Sequence, residues 1–391
     1  MRIAVLSDGP AWVSAGRLRV HRPYGAYVDA LAEHFDRVLV CNPVATAPIP
    51  EAQYELQSPN ISVQPLPYFG RVAESVPLLL RCARDIWRAS RSWDLLYVWL
   101  PTPLGFLGCL CARRRGIPMV LSIEGDLEAQ YERGRYQGLS NATAYVGVKL
   151  FERLTQWMVD RAVTITQGEA LREKYRRNHN RVLNIPWSPM SEQMIVHRED
   201  TCTGPGFRLL FVGALLEKKG IFVLLETARI LRRHLDNFLV TYVGTGPLAE
   251  ELACRFREAG LDDHVELKGG VFGEQALLDE FDAADLFLLP TYAEGFPRVI
   301  FEAMARGVPV ISTRVSGIPT LVKDGRDALL VNPGSPEEVV EAILKIIGDG
   351  PFRRSLIKHG REIAEEYTLE KTVRHRVEVI RMARTALRRR G

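Results

Sequence analysis

The sequence lacks the features that mark membrane-spanning or exported chains. Its longest apolar run, from Leu95 to Cys111, is interrupted by Pro101, Thr102 and Pro103. It falls short of the roughly 20 continuous apolar residues that a membrane helix needs. The first residues turn polar after five positions, fewer than the core of a signal peptide requires. We therefore expect a cytoplasmic protein.

The sequence also lacks clustered cysteines and a strong excess of charge of one sign. The 6 cysteines include one close pair, Cys109 and Cys111, and none has the spacing of a zinc site, so we expect reduced thiols. The net charge is +4, and no basic block is interleaved with aromatic residues as in a nucleic-acid-binding surface. No Asp-x-Asp pair follows a predicted strand. Nucleic acid and a metal centre are therefore not predicted.

What is present is an ordinary globular composition over 391 residues, enough for two domains. Apolar strand-length runs alternate with amphipathic helical segments in both halves, which predicts two doubly wound parallel sheets. The predicted domains are residues 1–187 and 207–365, joined by a linker at 188–206 and followed by a helical segment at 366–391. The predicted strands are Arg2–Ser7, Val38–Cys41, Ile61–Gln64, Leu95–Leu100, Met119–Ile123, Ala162–Thr166, Val182–Ile185, Arg208–Val212, Leu239–Val243, Val265–Leu267, Leu286–Leu289, Pro309–Ser312 and Ala328–Val331.

The stretch from Glu294 to Glu302 concentrates the chemistry. An apolar run of strand length precedes it, and a helical pattern with Pro297 in its first turn follows it. Glu294 and Gly295 are thus expected on a loop at the carboxyl end of a strand, beside a helix N-terminus. Open α/β sheets bind ligands there, and the helix dipole favours a phosphate.

The two carboxylates, Glu294 and Glu302, are suited to accept hydrogen bonds from sugar and ribose hydroxyls. An alternative for Glu294 is a capping box with Thr291, which would start the helix at Thr291 and place Pro297 unfavourably inside it. The alternative for Glu302 is a solvated helix glutamate.

Two other segments suggest phosphate chemistry. Lys219, which precedes Gly220 at a strand-to-helix turn, can stabilise a departing nucleoside diphosphate; the alternative is a solvated lysine at the start of a helix. The Gly244-x-Gly246 sequence mimics a dinucleotide-binding fingerprint, and a tight turn explains it equally well.

Glu-x7-Glu after an apolar strand, continued by Ala303 to Ile311, resembles the retaining glycosyltransferases of family four. The resemblance covers nearly all of residues 205–385 and, more loosely, the N-terminal half. It implies the GT-B fold, with two Rossmann-like domains facing a central cleft and a C-terminal helix that crosses back to the first domain. It also implies sugar transfer from a nucleotide diphosphate sugar to the hydroxyl of a glycan, glycolipid or lipid-linked saccharide, without metal or other cofactor.

The resemblance assigns roles to individual residues. Glu294 contacts the transferred sugar, Glu302 contacts the nucleotide ribose, and Lys219 lies on the diphosphate. The remaining donor-binding residues that it implies are Gly16, Gly213, Lys218, Gly244, Gly246, Lys268, Gly295, Phe296 and Pro297.

The chain departs from the family pattern at two notable places. Ala214 stands where the family often has an arginine on the diphosphate, so Lys218 or another cation must compensate. Glu124 follows a strand near the place where the family commonly has a histidine beside the sugar, and we predict a catalytic role for it. The alternative is an acidic turn in which Asp126 caps the next helix.

Arg81, Arg84, Arg88 and Arg91 recur at helical spacing among apolar residues. This pattern is consistent with peripheral contact with an anionic membrane, or with a solvated basic face over an apolar one.

Three other functions remain open from the sequence. They are a GT-B nucleotide-sugar epimerase or phosphorylase, a nicotinamide oxidoreductase built on Gly244-x-Gly246, and a catalytically weak sugar-nucleotide-binding subunit.

Overall fold

A computed structural model describes residues 1–14, 16–50, 52–69, 78–126, 128, 140–271, 273–294, 296–315 and 317–388. It divides into two compact units, Met1–Trp187 together with the segment from Glu370, and Ser188–Leu369. Each unit is built on its own largely parallel sheet, so the predicted α/β class is confirmed. No helix in these ranges combines the length and apolar character that crossing a membrane would require.

The sheet of the first unit has a parallel body in the order β10-β9-β8-β7-β1-β4, with β6 also paired to β4. Its strands are β1 (Arg2–Leu6), β2 (Ala11–Ser14), β3 (Arg17–Val20), β4 (Arg37–Ala45), β5 (Tyr54–Glu55), β6 (Ile61–Pro67), β7 (Leu95–Leu100), β8 (Met119–Ile123), β9 (Val163–Thr166) and β10 (Arg181–Asn184). The helices that connect them are α1 (Arg22–Ala32), α2 (Leu79–Ala89), α3 (Pro103–Arg114), α4 (Ser140–Val159) and α5 (Glu169–Tyr175). Strands β1, β7 and β8 are buried almost throughout, which explains their near-continuous apolar sequences.

The segment after β1 contains Gly16, one of the donor-binding residues that the resemblance implies. Strands β2 and β3 pair as an antiparallel hairpin, with Trp12 opposite Arg19 and Ser14 opposite Arg17. Gly16 lies in its turn with a φ of 79°. Each strand has only four residues, which is too few for a strand pattern to stand out in the sequence.

The sheet of the second unit is entirely parallel, in the order β13-β12-β11-β14-β15-β16. Its strands are β11 (Phe207–Val212), β12 (Phe238–Val243), β13 (Val265–Gly269), β14 (Leu286–Leu289), β15 (Val310–Thr313) and β16 (Leu329–Val331). Its helices are α6 (Ile221–Leu231), α7 (Ala249–Glu258), α8 (Glu274–Ala283), α9 (Arg298–Ala305), α10 (Ile318–Leu321), α11 (Pro336–Gly348) and α12 (Gly350–Glu366). This is the doubly wound order 3-2-1-4-5-6, whose direction of winding switches between β11 and β14.

The last described helix, α13 (Leu369–Arg388), joins the first unit from Glu370 onward. Val373, Val377 and Ile380 are buried at helical spacing and form its apolar stripe. Arg376 lies within the same stripe and is fully buried.

The segment that the sequence predicted as a linker packs onto the second unit. The Val196 N–H donates to the carbonyl of Ala305 at 2.8 Å, and the Arg198 guanidinium donates to the carbonyl of Ala284 at 2.8 Å. Asp200 accepts two hydrogen bonds from Arg353 on α12, at 2.6 and 3.1 Å. These partners are far away in sequence, so local composition could not reveal them.

We expect Asp200→Ala to destabilise the second unit by about 2 kcal/mol, because it leaves the largely buried Arg353 without its counter-ion. The measurement is urea unfolding of the two proteins at pH 7. Glu251→Ala is the matched control, since it breaks an exposed ion pair with Arg255 on α7. We expect that control to cost less than about 0.5 kcal/mol.

The effect of Asp200→Ala should depend on pH in a defined direction. Partial burial disfavours the Asp200 carboxylate, but hydrogen bonds from Arg353 and Arg354 outweigh that cost and hold its pKa below the usual 3.8. A lowered pKa in the fold contributes stability above pH 3.8, and that stability is lost as the pH falls below it. The stability difference between the two proteins should therefore shrink in acid; a difference that grew on acidification would contradict this account.

Candidate functional site

Two loops of the second unit lie next to each other at the carboxyl edge of its sheet. Residues 213–220 follow β11, and residues 290–297 follow β14. Strands β11 and β14 are hydrogen-bonded neighbours at the point where the winding of the sheet reverses. In open α/β sheets, ligands bind at this point because the helices that follow the two strands diverge there and leave a crevice between them.

Gly220 allows these two loops to touch. It has a φ of 75°, and a Cβ at this position would overlap the carbonyl oxygen of Pro290. The carbonyl of Lys218 accepts from the Thr291 hydroxyl at 2.9 Å and from the Tyr292 N–H at 2.8 Å. The loop after β11 is therefore fastened to the loop after β14 by backbone contacts that only glycine permits.

Lys219 and Glu294 form an ion pair across this junction. The Lys219 ammonium donates directly to Oε1 of Glu294, and the two side chains are 21% and 11% exposed. The structure thus joins two predicted catalytic residues that are 75 positions apart. Partial shielding from water strengthens electrostatic interactions at such a site.

The capping-box alternative for Glu294 is wrong. Helix α9 begins at Arg298 with Pro297 at its N-cap, so Thr291 does not start a helix. The Thr291 hydroxyl instead bonds the carbonyl of Lys218. Glu294 is a loop residue, as the position of Pro297 predicted.

The other predicted residues of the same loop and helix occupy varied positions. Phe296 is 8% exposed and stacks on Phe301 with ring centroids 4.6 Å apart, so its ring belongs to the core. Glu302 lies in the second turn of α9 and is partly exposed. Gly295 falls outside the described residues.

The glycines at 213, 244 and 246 lie where the loops after β11 and β12 meet. A Cβ on Gly244 would overlap the Gly213 carbonyl, and one on Gly246 would overlap the Leu215 carbonyl. The Leu215 N–H donates to the Thr245 carbonyl at 2.9 Å. Loop-to-loop packing thus accounts for both glycines of the Gly244-x-Gly246 sequence.

Lys268 is held in a different environment. Its ammonium donates to both carboxylate oxygens of Glu280 on α8, at 2.8 and 2.9 Å, and this hydrogen bonding raises its pKa. Arg208, Thr241 and Glu266 line the same open pocket on the sheet face. Glu280 is thus a structural partner of Lys268. None of the other residues around this pocket named here was predicted to bind the donor.

In the first unit, Glu124 follows β8 and is fixed by three side chains. Its carboxylate accepts from the Ser122 hydroxyl at 2.8 Å and from the Trp187 indole at 3.1 Å, and the Arg376 guanidinium lies 3.8 Å away. The side chain is 24% exposed, so part of the carboxylate reaches solvent. Asp126, two residues on, accepts from Lys174 at 2.6 Å.

Arg376 is a charged residue of this network that the sequence analysis missed. It donates to Tyr97, Gln167 and the carbonyl of Ile185, at 3.0, 3.1 and 2.6 Å. Burial disfavours its charge, but Tyr97, Tyr27 and Glu124 outweigh this and raise its pKa. Its position inside the apolar stripe of α13 was a usable signal, because an arginine at such a position needs buried partners.

Asp8, at the end of β1, is a second residue that the sequence analysis passed over. Oδ2 of its carboxylate accepts from the Leu104 N–H at the start of α3, at 3.2 Å. Oδ1 is buried and has no hydrogen-bond partner within the described residues, and burial raises the pKa of this carboxyl. It lies where the winding of the first sheet reverses, between β1 and β7.

Family models match both units of the chain. The glycosyl transferase 4-like domain matches residues 11–186, and the glycosyl transferases group 1 family matches residues 201–363. An uncharacterized glycosyltransferase of Methanocaldococcus jannaschii is 26% identical over 73% of this chain and 74% of its own length. The amylovoran biosynthesis glycosyltransferase AmsK of Erwinia amylovora is 36% identical over 36% of this chain and 35% of its own length.

Solved structures extend the likeness over almost the whole chain. Sucrose-phosphate synthase from Thermosynechococcus elongatus superposes with a TM-score of 0.75 at 20% identity, covering 98% of this chain and 99% of its own. Anabaena HepE in complex with UDP-glucose gives 0.69 at 17% identity, covering 98% and 100%. At identities of 20% and 17%, the superpositions show a shared fold and no more. Taken with the family matches in both units, they show that this chain belongs to the group 1 glycosyltransferases of family four, which have the GT-B fold.

Proposed function

We propose that the chain transfers a sugar from a nucleotide diphosphate sugar to an acceptor hydroxyl with retention of anomeric configuration. The observation that carries this proposal is the Lys219–Glu294 pair at the switch point of the second sheet. It sets a cation for phosphate beside a carboxylate for sugar hydroxyls. An ordinary surface salt bridge needs neither the glycine-dependent junction nor this placement.

In the proposed reaction the acceptor oxygen bonds to the anomeric carbon on the face from which the diphosphate departs. The bond between that carbon and the phosphate oxygen breaks, and the leaving phosphate takes the proton of the acceptor hydroxyl. Lys219 stabilises the charge that develops on the diphosphate, so the step as proposed draws on no metal ion. Glu294 orients the sugar by accepting from its hydroxyls, which holds the anomeric carbon in place.

Glu124 is proposed as a third catalytic residue. Trp187, Ser122 and Arg376 restrict its carboxylate to one orientation, while its partial exposure leaves it able to accept a further hydrogen bond. A fixed acceptor of this kind is suited to orienting a substrate hydroxyl.

Two of the compared proteins support the choice of substrates. HepE was solved with UDP-glucose, which makes a uridine diphosphate sugar the first donor to test. AmsK is named for the synthesis of a polysaccharide, which supports an acceptor that is a growing saccharide. We propose a place in cell-surface polysaccharide or glycoconjugate synthesis on this basis.

A catalytically weak sugar-nucleotide-binding subunit is the second candidate. Ala214 is exposed in the loop after β11, so this position supplies no cation to a diphosphate. Turnover separates the two candidates: a weak subunit would bind the nucleotide without releasing it from a donor sugar.

We expect Glu294→Gln to lower turnover about 100-fold, because an amide accepts hydrogen bonds from hydroxyls more weakly than a carboxylate and no longer pairs with Lys219. The assay is release of nucleoside diphosphate from a panel of nucleotide sugars that starts with UDP-glucose. Glu251→Gln, on the exposed surface of α7, is the matched control and should keep full activity. Unchanged turnover in Glu294→Gln would remove this residue from the mechanism.

Lys219→Met should weaken binding of UDP about tenfold or more, since it removes a charge-assisted hydrogen bond to the diphosphate. Binding of uridine, which has no phosphate, should change little; isothermal titration calorimetry with the two ligands measures the contrast. Lys358→Met removes an exposed lysine of α12 and serves as the control. Equal losses for UDP and uridine would indicate a damaged fold rather than a lost phosphate contact.

The stereochemistry of transfer is a third test. Proton NMR of the first-formed product should show the anomeric configuration of the donor, because acceptor attack and phosphate departure share one face. A product of inverted configuration would overturn the retaining mechanism while leaving glycosyl transfer itself in place.

A further inference from the structure

Helices α2, α3 and α4 of the first unit lie side by side and share one exposed surface, here called the α2–α4 face. Phe106 of α3 packs edge-on against Phe151 of α4 with ring centroids 5.2 Å apart. The Arg115 guanidinium, just after α3, lies 3.9 Å from the centroid of Trp87 on α2. These contacts place α3 between α2 and α4.

On α2, arginines and large apolar side chains share the solvent side. Cys82 and Ile86 are fully buried, which defines the inward side of this helix. Leu80 is 86% exposed and Trp87 is 37% exposed, and both lie on the opposite side with Arg84. Leu80 and Trp87 therefore add exposed apolar surface to the side of α2 that carries the arginines.

An apolar stripe also runs along the outside of α4. Val146, Leu150 and Leu154 are 66%, 55% and 38% exposed and follow one another at intervals of four residues. Trp157 continues the stripe, and its ring is covered by Arg113 of α3 at 4.6 Å and by Arg161 at 4.5 Å. Leucines that project into water beside arginine-stacked tryptophans thus occur on α4 as well.

This surface carries a larger excess of positive charge, relative to its size, than the chain as a whole. The net charge of the chain is +4, with acids and bases almost balanced. Helices α2 and α3 together carry five arginines and one acidic residue, Asp85. The surface is therefore cationic and apolar at the same time.

The positive charge and the apolar character of this surface together indicate which kind of partner it binds. A hydrophilic polyanion would pair with the arginines but leave the leucines in water, and an apolar protein surface would leave the arginines unpaired. The boundary between headgroups and acyl chains of an anionic bilayer satisfies both, because phosphates lie above hydrocarbon. Tryptophan and arginine are suited to that depth, since each has an apolar body and a polar end.

We propose that the α2–α4 face docks onto a membrane that contains anionic phospholipids. Leu80, Leu150 and Leu154 enter the boundary between headgroups and acyl chains, while Arg84, Arg88 and their neighbours bind lipid phosphates. The proposal goes beyond sugar transfer and does not depend on it.

The test is flotation of the full chain with vesicles of phosphatidylglycerol and phosphatidylcholine, compared with vesicles of phosphatidylcholine alone. Two double variants separate the two contributions: Leu80→Gln/Leu150→Gln leaves the charge unchanged, and Arg84→Gln/Arg88→Gln leaves the leucines unchanged. Each should weaken binding to the anionic vesicles about tenfold or more. The wild-type protein should bind the neutral vesicles far more weakly than the anionic ones.

Matched controls replace exposed residues of the same kinds elsewhere. Leu183→Gln/Met382→Gln replaces apolar side chains that are 41% and 58% exposed outside the α2–α4 face, and Arg229→Gln/Arg255→Gln removes two charges from the second unit. Both controls should float like the wild type. Release of nucleoside diphosphate in the absence of vesicles should be unchanged in all four variants, so failure of docking is distinguishable from failure of transfer.

Two results would overturn the proposal. One is flotation of the face variants equal to that of the controls. The other is a leucine variant that loses no affinity for anionic vesicles while the arginine variant loses affinity for vesicles and for heparin alike. That second pattern would identify the face as a binder of soluble polyanions.

Discussion

The contact between the loops after β11 and β14 is the constraint on which the candidate site depends. Pro290 approaches the backbone at position 220 so closely that any side chain there would collide with its carbonyl. Two hydrogen bonds to the carbonyl of Lys218 then fix how the loops align. Because Lys219 adjoins one side of this contact and Glu294 the other, their pairing follows from the backbone. A charged pair built in this way is positioned before any ligand arrives, which lowers the cost of ordering it.

Much of the fold could be predicted from the sequence, because doubly wound sheets carry strong local signals. Leu95–Leu100, Met119–Ile123 and Leu286–Leu289 were predicted with the bounds that the structure has, since fully buried parallel strands read as continuous apolar runs. The hairpin at residues 11–20 was not predicted, because its strands are short and half-exposed. The packing of residues 188–206 could not be predicted either, since it depends on Arg353 and on the carbonyls of Ala284 and Ala305.

The site shows the same division between local and distant information. Strand ends and helix starts located Glu294 and Lys219, and the sheet topology brought them together. The direction in which a side chain points could not be predicted from these local patterns. Phe296 follows Glu294 by two positions yet stacks in the core, because Phe301 lies one and a half turns along the same segment and faces it. Lys268 lies within β13, and its ammonium donates to Glu280 on α8, a partner that the sequence did not indicate.

The burial of Arg376 has a consequence for the order of events during synthesis. The guanidinium fills a polar pocket made by Tyr97, Gln167 and Ile185, residues that leave the ribosome long before α13 does. All of Ser188–Leu369 must be translated in between. Residues 1–187 of the first unit are synthesised first, but Arg376 follows only after the whole second unit has been translated. The second unit can therefore fold before helix α13 completes the first unit. Nascent chains halted before residue 376 would hold Tyr97 and Gln167 without that partner.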